Sequence, residues 1–156
     1  MPLYCFERGE HIIYLDGMDK EVKEDFIIFA TTHRSTQHNK TLTVHCPGNF
    51  NGAKMGGKEG SICHGSAYVN KNLFLELVKQ AEGSEYHCTL EATHHGPLIE
   101  KPSCFIEIGS SEEEWKDLNA GEIIARTLKV FLEKEMNKDF TPAVGVGATH
   151  YCPSFS

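Results

Sequence analysis

Short apolar runs separated by breakers organise this chain. "HIIYLD" (11–16), "DFIIFAT" (25–31) and "TLTVHC" (41–46) are rich in Ile, Val, Phe and Thr, the composition of strands in a half-buried or buried sheet. "YHCTLEAT" (86–93), "SCFIEIG" (103–109) and "TPAVGVGAT" (141–149) repeat the pattern. Helical spacing appears between them. With Asn70 as N-cap, Leu73, Phe74, Leu77, Val78 and Ala81 share one helix face. Within 120–136, Ile124, Leu128 and Phe131 stand at i, i+4 and i+7. "SSEEEW" carries Ser111 three residues before Glu114, a capping box with acid in the first turn.

Residues 47–66, "PGNFNGAKMGGKEGSICHGS", hold six glycines and no period, which predicts a loop. Nearly all-apolar strands alternating with amphipathic helices predict an α/β fold: a single domain over 1–156 with a mixed, largely parallel sheet flanked by helices. No repeat, low-complexity segment or domain boundary interrupts the pattern.

Composition changes this picture little. An apolar fraction of 40% with 24% charge supports an ordinary core. No run approaches the ~20 apolar residues of a membrane span. "MPLYCFERGEHIIYLDG" lacks the basic and apolar regions of a secretion signal, so a cytoplasmic location without membrane contact is expected. The six cysteines (Cys5, Cys46, Cys63, Cys88, Cys104 and Cys152) never form C-x-x-C. They read as reduced core thiols, with Cys46 and Cys152 as outlying candidates for metal.

The net charge of −7 argues against nonspecific binding of nucleic acid, yet the charge is uneven. Residues 27–75 carry Arg34, Lys40, Lys54, Lys58 and Lys71 against Glu59 alone, five positive less one negative, or +4. An acidic protein with this distribution can still present a basic face.

Chemistry concentrates at strand ends, where open α/β sheets bind their ligands. "FIIFATT" runs into His33-Arg34, "TLTV" into His45, "CTLEAT" into His94-His95, and "AVGVGAT" into His150. Delivery of imidazole by four different strands points to a site. Imidazole titrates near neutrality and is the common nitrogen ligand of Zn²⁺. Glu91 is placed to serve as oxygen ligand, orienting partner or general base. If one histidine of the adjacent pair faces inward, His95 is the one expected to turn away. His11, His38, His64 and His87 lack strand-end placement and read as structural or surface residues.

Other chemistries are excluded. "GAKMGGKE" (52–59) fits G-x-x-x-x-G-K, but Glu59 stands where Mg²⁺ needs Ser or Thr and no helix pattern follows. Its functional version is a flap whose N–H groups and Lys54 or Lys58 meet a phosphate. No G-x-S-x-G elbow or H-E-x-x-H motif occurs.

"IIFATTHRS", "TLTVHCPGNF", "LEATHHGPLIEKPSCFIEIGSSEEEW" and "VGVGATHYCPSF" together resemble the archaeal and plant-type D-aminoacyl-tRNA deacylase family, in order and interval as well as wording. Near His33 the family wording is closer to "SRHSS", and near His150 closer to "GGGHYAP", with Thr149 here in place of a glycine. Family members carry a further N-terminal βα segment and a C-terminal continuation, so a partial version of the domain is expected. The resemblance implies a fold like that of peptidyl-tRNA hydrolases and nucleoside phosphorylases. It also implies zinc-dependent hydrolysis of the ester in tRNA carrying a D-amino acid. Nothing in the sequence signals an obligate interface, so a monomer is expected.

By motif match, His33, Glu91, His94 and His95 become catalytic candidates, and His45, His94, His95 and His150 candidate ligands of Zn²⁺. Arg34, Lys54 and Lys58 are expected to hold tRNA phosphates, and the Gly48-Asn49 turn to offer N–H donors to an oxyanion. The rival readings are a hydrolase acting on peptidyl-tRNA or a small amide, and a catalytically inactive fragment that binds tRNA or metal.

Overall fold

A computed structural model describes residues 4–36, 38–147 and 149–156. Its strands are β1 (Ile27–Thr32), β2 (Thr41–His45), β3 (Gly48–Asn49), β4 (Ser61–Ile62), β5 (His87–Leu90) and β6 (Ser103–Gly109). Its helices are α1 (Ala67–Gln80), α2 (Glu112–Trp115) and α3 (Leu118–Glu133). The fold is α/β, and the chain divides into two compact units.

The first unit comprises residues 1–28, 46–66 and 93–104. "HIIYLD" is not a strand: Ile12–Tyr14 form a 3-10 turn. Only Ile13 of that turn is buried, so its apolar residues supply one inward anchor rather than an alternating face. Asp16 and Asp19 then tie down the segment after Pro97. Asp16 accepts from the Leu98 N–H at 2.7 Å, and Asp19 from those of Glu100 and Lys101 at 3.1 and 3.2 Å.

The glycine-rich segment folds back on itself through the antiparallel β3–β4 pair. Gly56 is required there twice over. Its φ is +73°, and a Cβ would strike the Ile13 carbonyl.

The second unit, residues 29–45, 67–92 and 105–156, carries the main sheet in the order β1-β6-β2-β5. β2 runs parallel to β5 and antiparallel to β6. The central strands β2 and β6 are buried at every residue, which is why both read as nearly continuous apolar runs. Helix α1 packs on β2, β5 and α3. It begins at Ala67, so Asn70 lies inside the helix and is not its cap. Val69, Leu73, Phe74 and Leu77 form its buried face, while Val78 is exposed. In α3 the buried face is Ala120, Ile123, Ile124 and Thr127, and Leu128 and Phe131 are only half-buried. Ser111 caps α2 in the expected box: Glu114 Oε2 accepts from the Ser111 N–H at 2.9 Å.

The expected strand at 141–149 is absent among the described residues, Ala148 lying outside them. Val144 and Val146 are 89% and 90% exposed, and the glycines between and after them leave nothing to pack. All six cysteines are free thiols. Cys63, Cys104 and Cys152 are buried as expected, but Cys5 is exposed. No described helix is long and apolar enough to cross a membrane.

Candidate active site

In the second unit, backbone pairing brings a set of titratable side chains together. His33 follows β1 and extends its ladder by donating its N–H to the Ile108 carbonyl at 3.0 Å. Its own carbonyl accepts from the Trp115 indole at 2.9 Å, so the residue is held from both sides. His45 ends β2 with its ring stacked on Phe105, centroids 5.2 Å apart and planes within 5°. Glu107 lies within β6, opposite Thr43. Glu91 follows β5 and pairs in an antiparallel bridge with Tyr151. The Ala92 N–H donates to the His150 carbonyl and the Cys152 N–H to that of Leu90, laying residues 150–152 along the end of β5. A bridge, not a strand, therefore delivers His150.

The cluster centres on Glu91, whose side chain is fully buried. Its Oε2 lies 3.1 Å from His150 Nε2 and 4.0 Å from His45 Nε2, and its Oε1 lies 3.5 Å from His33 Nδ1. Glu107 is the second buried carboxylate, 3.2 Å from His45 Nε2 and 3.9 Å from His33 Nδ1. On the other side of the His33 ring, Nε2 and the Tyr151 hydroxyl share a hydrogen bond of 2.9 Å. Gly109 leaves room for this ring, because a Cβ there would run into it.

Burial and charge act in opposition at these groups. Burial pushes the Glu91 carboxyl up, but the hydrogen bond from His150 and the charges of His45, His33 and His150 outweigh it and bring it to about 2. Burial pulls the His33 imidazole below its ordinary value, against the pull of Glu91 and Glu107 in the other direction. His150 is half-exposed and goes the opposite way, raised chiefly by its hydrogen bond to Glu91. The cluster thus holds one carboxylate fixed in its ionised form, one imidazole biased to neutrality and one biased to carry a proton.

The donor set suits a divalent cation. His33 Nδ1 is buried and makes no hydrogen bond among the described residues. Together with oxygens of Glu91 and Glu107 it forms a group whose ligand atoms lie within 4.8 Å of one another. Two donors each ~2.1 Å from a tetrahedral ion stand roughly 3.4 Å apart, close to the 3.5 Å between His33 Nδ1 and Glu91 Oε1. Nitrogen with two carboxylates is chemistry that Zn²⁺ and its neighbours accept.

Glu107 and Tyr151 were not singled out by the sequence pattern. A glutamate inside an otherwise apolar strand was the available signal for Glu107, since buried carboxylates without partners are rare.

The remaining candidates divide between the units. His94 and His95 belong to the first, where His94 bridges to Pro47 in parallel and the two rings stand 4.3 Å apart. His95 is the more buried of the two, the reverse of the expectation, and takes φ +49° with its Nδ1 2.6 Å from the Gly96 carbonyl oxygen. The Gly48 N–H is already committed to the His95 carbonyl at 2.8 Å, and the Asn49 amide donates to the Gly56 carbonyl at 3.0 Å. Of the donors expected for an oxyanion, the Gly48 N–H is spent internally. Lys54 and Lys58 are exposed on the glycine-rich segment. Arg34, in the second unit, sits over the Trp115 ring and beside Glu112.

Residues 20–156 match the model of a family described as D-aminoacyl-tRNA deacylase. A D-aminoacyl-tRNA deacylase of Archaeoglobus fulgidus is 43% identical across 96% of this chain and 56% of its own length. That of Thermococcus kodakarensis is also 43% identical, across 93% of this chain and 56% of its own length. The crystal structure of a conserved protein of unknown function superposes with a TM-score of 0.87 at 42% identity, over 92% of this chain and 53% of the other. This chain therefore spans little more than half the length of these relatives.

Proposed function

We propose, on the premise that this chain belongs to the D-aminoacyl-tRNA deacylase family, that the cluster around Glu91 hydrolyses the ester joining a D-amino acid to the terminal ribose of tRNA. The observation that carries this reading is a fully buried carboxylate with three imidazoles at 3.1 to 4.0 Å.

Each group has a role suited to its state. Glu91, held at about 2, stays ionised at neutral pH and is too weak a base to take a proton from water. It orients His150 and stabilises the positive charge that the neutral imidazole gains when it accepts a proton. His150, half-exposed with its imidazole raised, exchanges protons: it accepts one from the attacking water and returns it to the ribose oxygen as the ester breaks. Tyr151 fixes the ring of His33 through their shared hydrogen bond, and Phe105 fixes that of His45 by stacking.

Zn²⁺ is the proposed cation. His33 Nδ1, Glu91 and Glu107 would hold it, with His45 beside both carboxylates as a further nitrogen donor. When bound, it would lower the pKa of a water towards ~7 and polarise the ester carbonyl.

On chemical grounds the proposal extends to His94 and His95, which are imidazoles of the same motif, and to Lys54 and Lys58 as phosphate contacts for tRNA. Undiminished hydrolysis by a folded protein with both His94→Ala and His95→Ala would remove the pair from the mechanism.

The test of the activity is release of D-tyrosine from D-tyrosyl-tRNA, beside the L-isomer and a peptidyl-tRNA. Release from the D-isomer alone is expected. Release from peptidyl-tRNA instead would move the reading to a related hydrolase. No release from a cooperatively melting protein would leave a binding role.

A further inference from the structure

Arg34 and Trp115 form a stacked pair one residue away from His33. The guanidinium carbon lies 4.8 Å from the indole centroid. The indole is fixed at its edge, where its N–H donates to the His33 carbonyl at 2.9 Å. Arg34 Nη2 stands 3.7 Å from Glu112 Oε1, and Glu112 Oε2 stands 3.5 Å from Lys116 Nζ. One face of the guanidinium thus rests on the indole and its edge meets a carboxylate. The Arg34 side chain is nevertheless 68% exposed. Its guanidinium carbon is held over the indole while the side chain stays open to solvent.

Phosphate matches this surface poorly. Arg34 and Lys116 contribute two positive charges and Glu112, Glu113 and Glu114 three negative, a local sum of −1. A further anion is repelled there. A neutral nucleobase meets no such penalty, and bases stack readily on guanidinium planes and aromatic rings. In an aminoacylated RNA the ester and the last base are attached to the same ribose. A base resting on Arg34 therefore carries its ester one sugar away, with His33 as the next residue of the chain.

We infer that the Arg34–Trp115 pair is a stacking subsite for the terminal nucleobase of the aminoacylated RNA. The inference rests on the deacylase reading for which base is meant. Its role for Arg34 differs from a phosphate clamp.

Trp115 is the one tryptophan in the sequence, so its fluorescence reports the subsite without any turnover. Adenosine titrated into this 156-residue chain is expected to quench it saturably, beyond the effect of adenosine on free N-acetyltryptophanamide. Inorganic phosphate at the same concentrations is expected to leave it unchanged. Arg34→Lys keeps the charge and loses the plane; it should weaken the adenosine response about tenfold at an unchanged melting temperature. Absence of quenching by adenosine, equal quenching by phosphate, or an Arg34→Lys titration that overlays the parent would overturn the inference. Hydrolysis is scored separately. Quenching in a protein that releases no D-amino acid supports the subsite and sinks the deacylase reading, and release without quenching does the reverse.

Discussion

His150 Nε2 stands 3.1 Å from Oε2 of Glu91, a carboxylate with no exposed surface. This one contact both raises the imidazole and lowers the carboxyl, so it links the stability of the fold to the protonation of the site.

Glu91 titrates at about 2 folded against 4.5 unfolded. Its contribution is therefore complete above pH 4.5 and is lost as pH falls from there towards 2, a change of up to about 3 kcal/mol. The imidazoles oppose each other near neutrality. His150, raised, contributes below 6.5 and loses that contribution as pH rises through its folded value. His33, lowered, contributes above 6.5 and loses that contribution as pH falls below it. The melting temperature should vary little near neutrality and drop steeply below pH 4.5, with a shallower acid limb in Glu91→Gln. An acid limb identical in the two proteins would show that Glu91 is not the titrating group.

Gly109→Ala should injure the site more than the fold. The new methyl would occupy the place of the His33 ring, forcing the imidazole off Tyr151 and Glu91. A displacement of about an ångström costs on the order of a hundredfold in rate. Ester hydrolysis compared with thermal melting checks this, and parent-like turnover would mean that the His33 position is not critical.

Zinc added to metal-free protein should raise its melting temperature, because the ion binds the folded donor set and not the open chain. At a free concentration a hundredfold above the dissociation constant the gain is about 2.7 kcal/mol. Glu107→Gln should lose most of that gain, since Glu107 supplies one of the three grouped ligand atoms. An equal zinc response in the variant would remove Glu107 from the ligand set.

Ser111→Ala tests the capping box beside the site. Its loss should cost about 1 kcal/mol, read from chemical denaturation. The serine hydroxyl also donates to Glu114 Oε2 at 2.7 Å, so a smaller loss would show that the Glu114 half of the box suffices.

Strand β6 was legible residue for residue, since a strand buried on both faces leaves a largely apolar run, here with Glu107 as its one charged member. His33 and His45 were legible for a related reason: each terminates or follows such a run, where sheets of this class expose ligand positions. His150 was identified for a partly wrong reason. The run before it is not a strand among the described residues, and the residue arrives through the bridge between Glu91 and Tyr151. Tyr151 was invisible because its hydrogen bond to His33 joins positions 118 apart in sequence. Asn70 misled because a capping residue type also occurs inside helices, and α1 begins one turn earlier. The commitment of the Gly48 N–H could not be read from sequence, because its acceptor, the His95 carbonyl, is set by tertiary pairing.

The most direct test is D-tyrosine release from D-tyrosyl-tRNA by the parent protein and by Glu91→Gln, each first shown to melt cooperatively. The account predicts release by the parent and a loss of a hundredfold or more, roughly, in the variant, the scale of a lost acid–base partner. Equal release by both would contradict the central place given to Glu91.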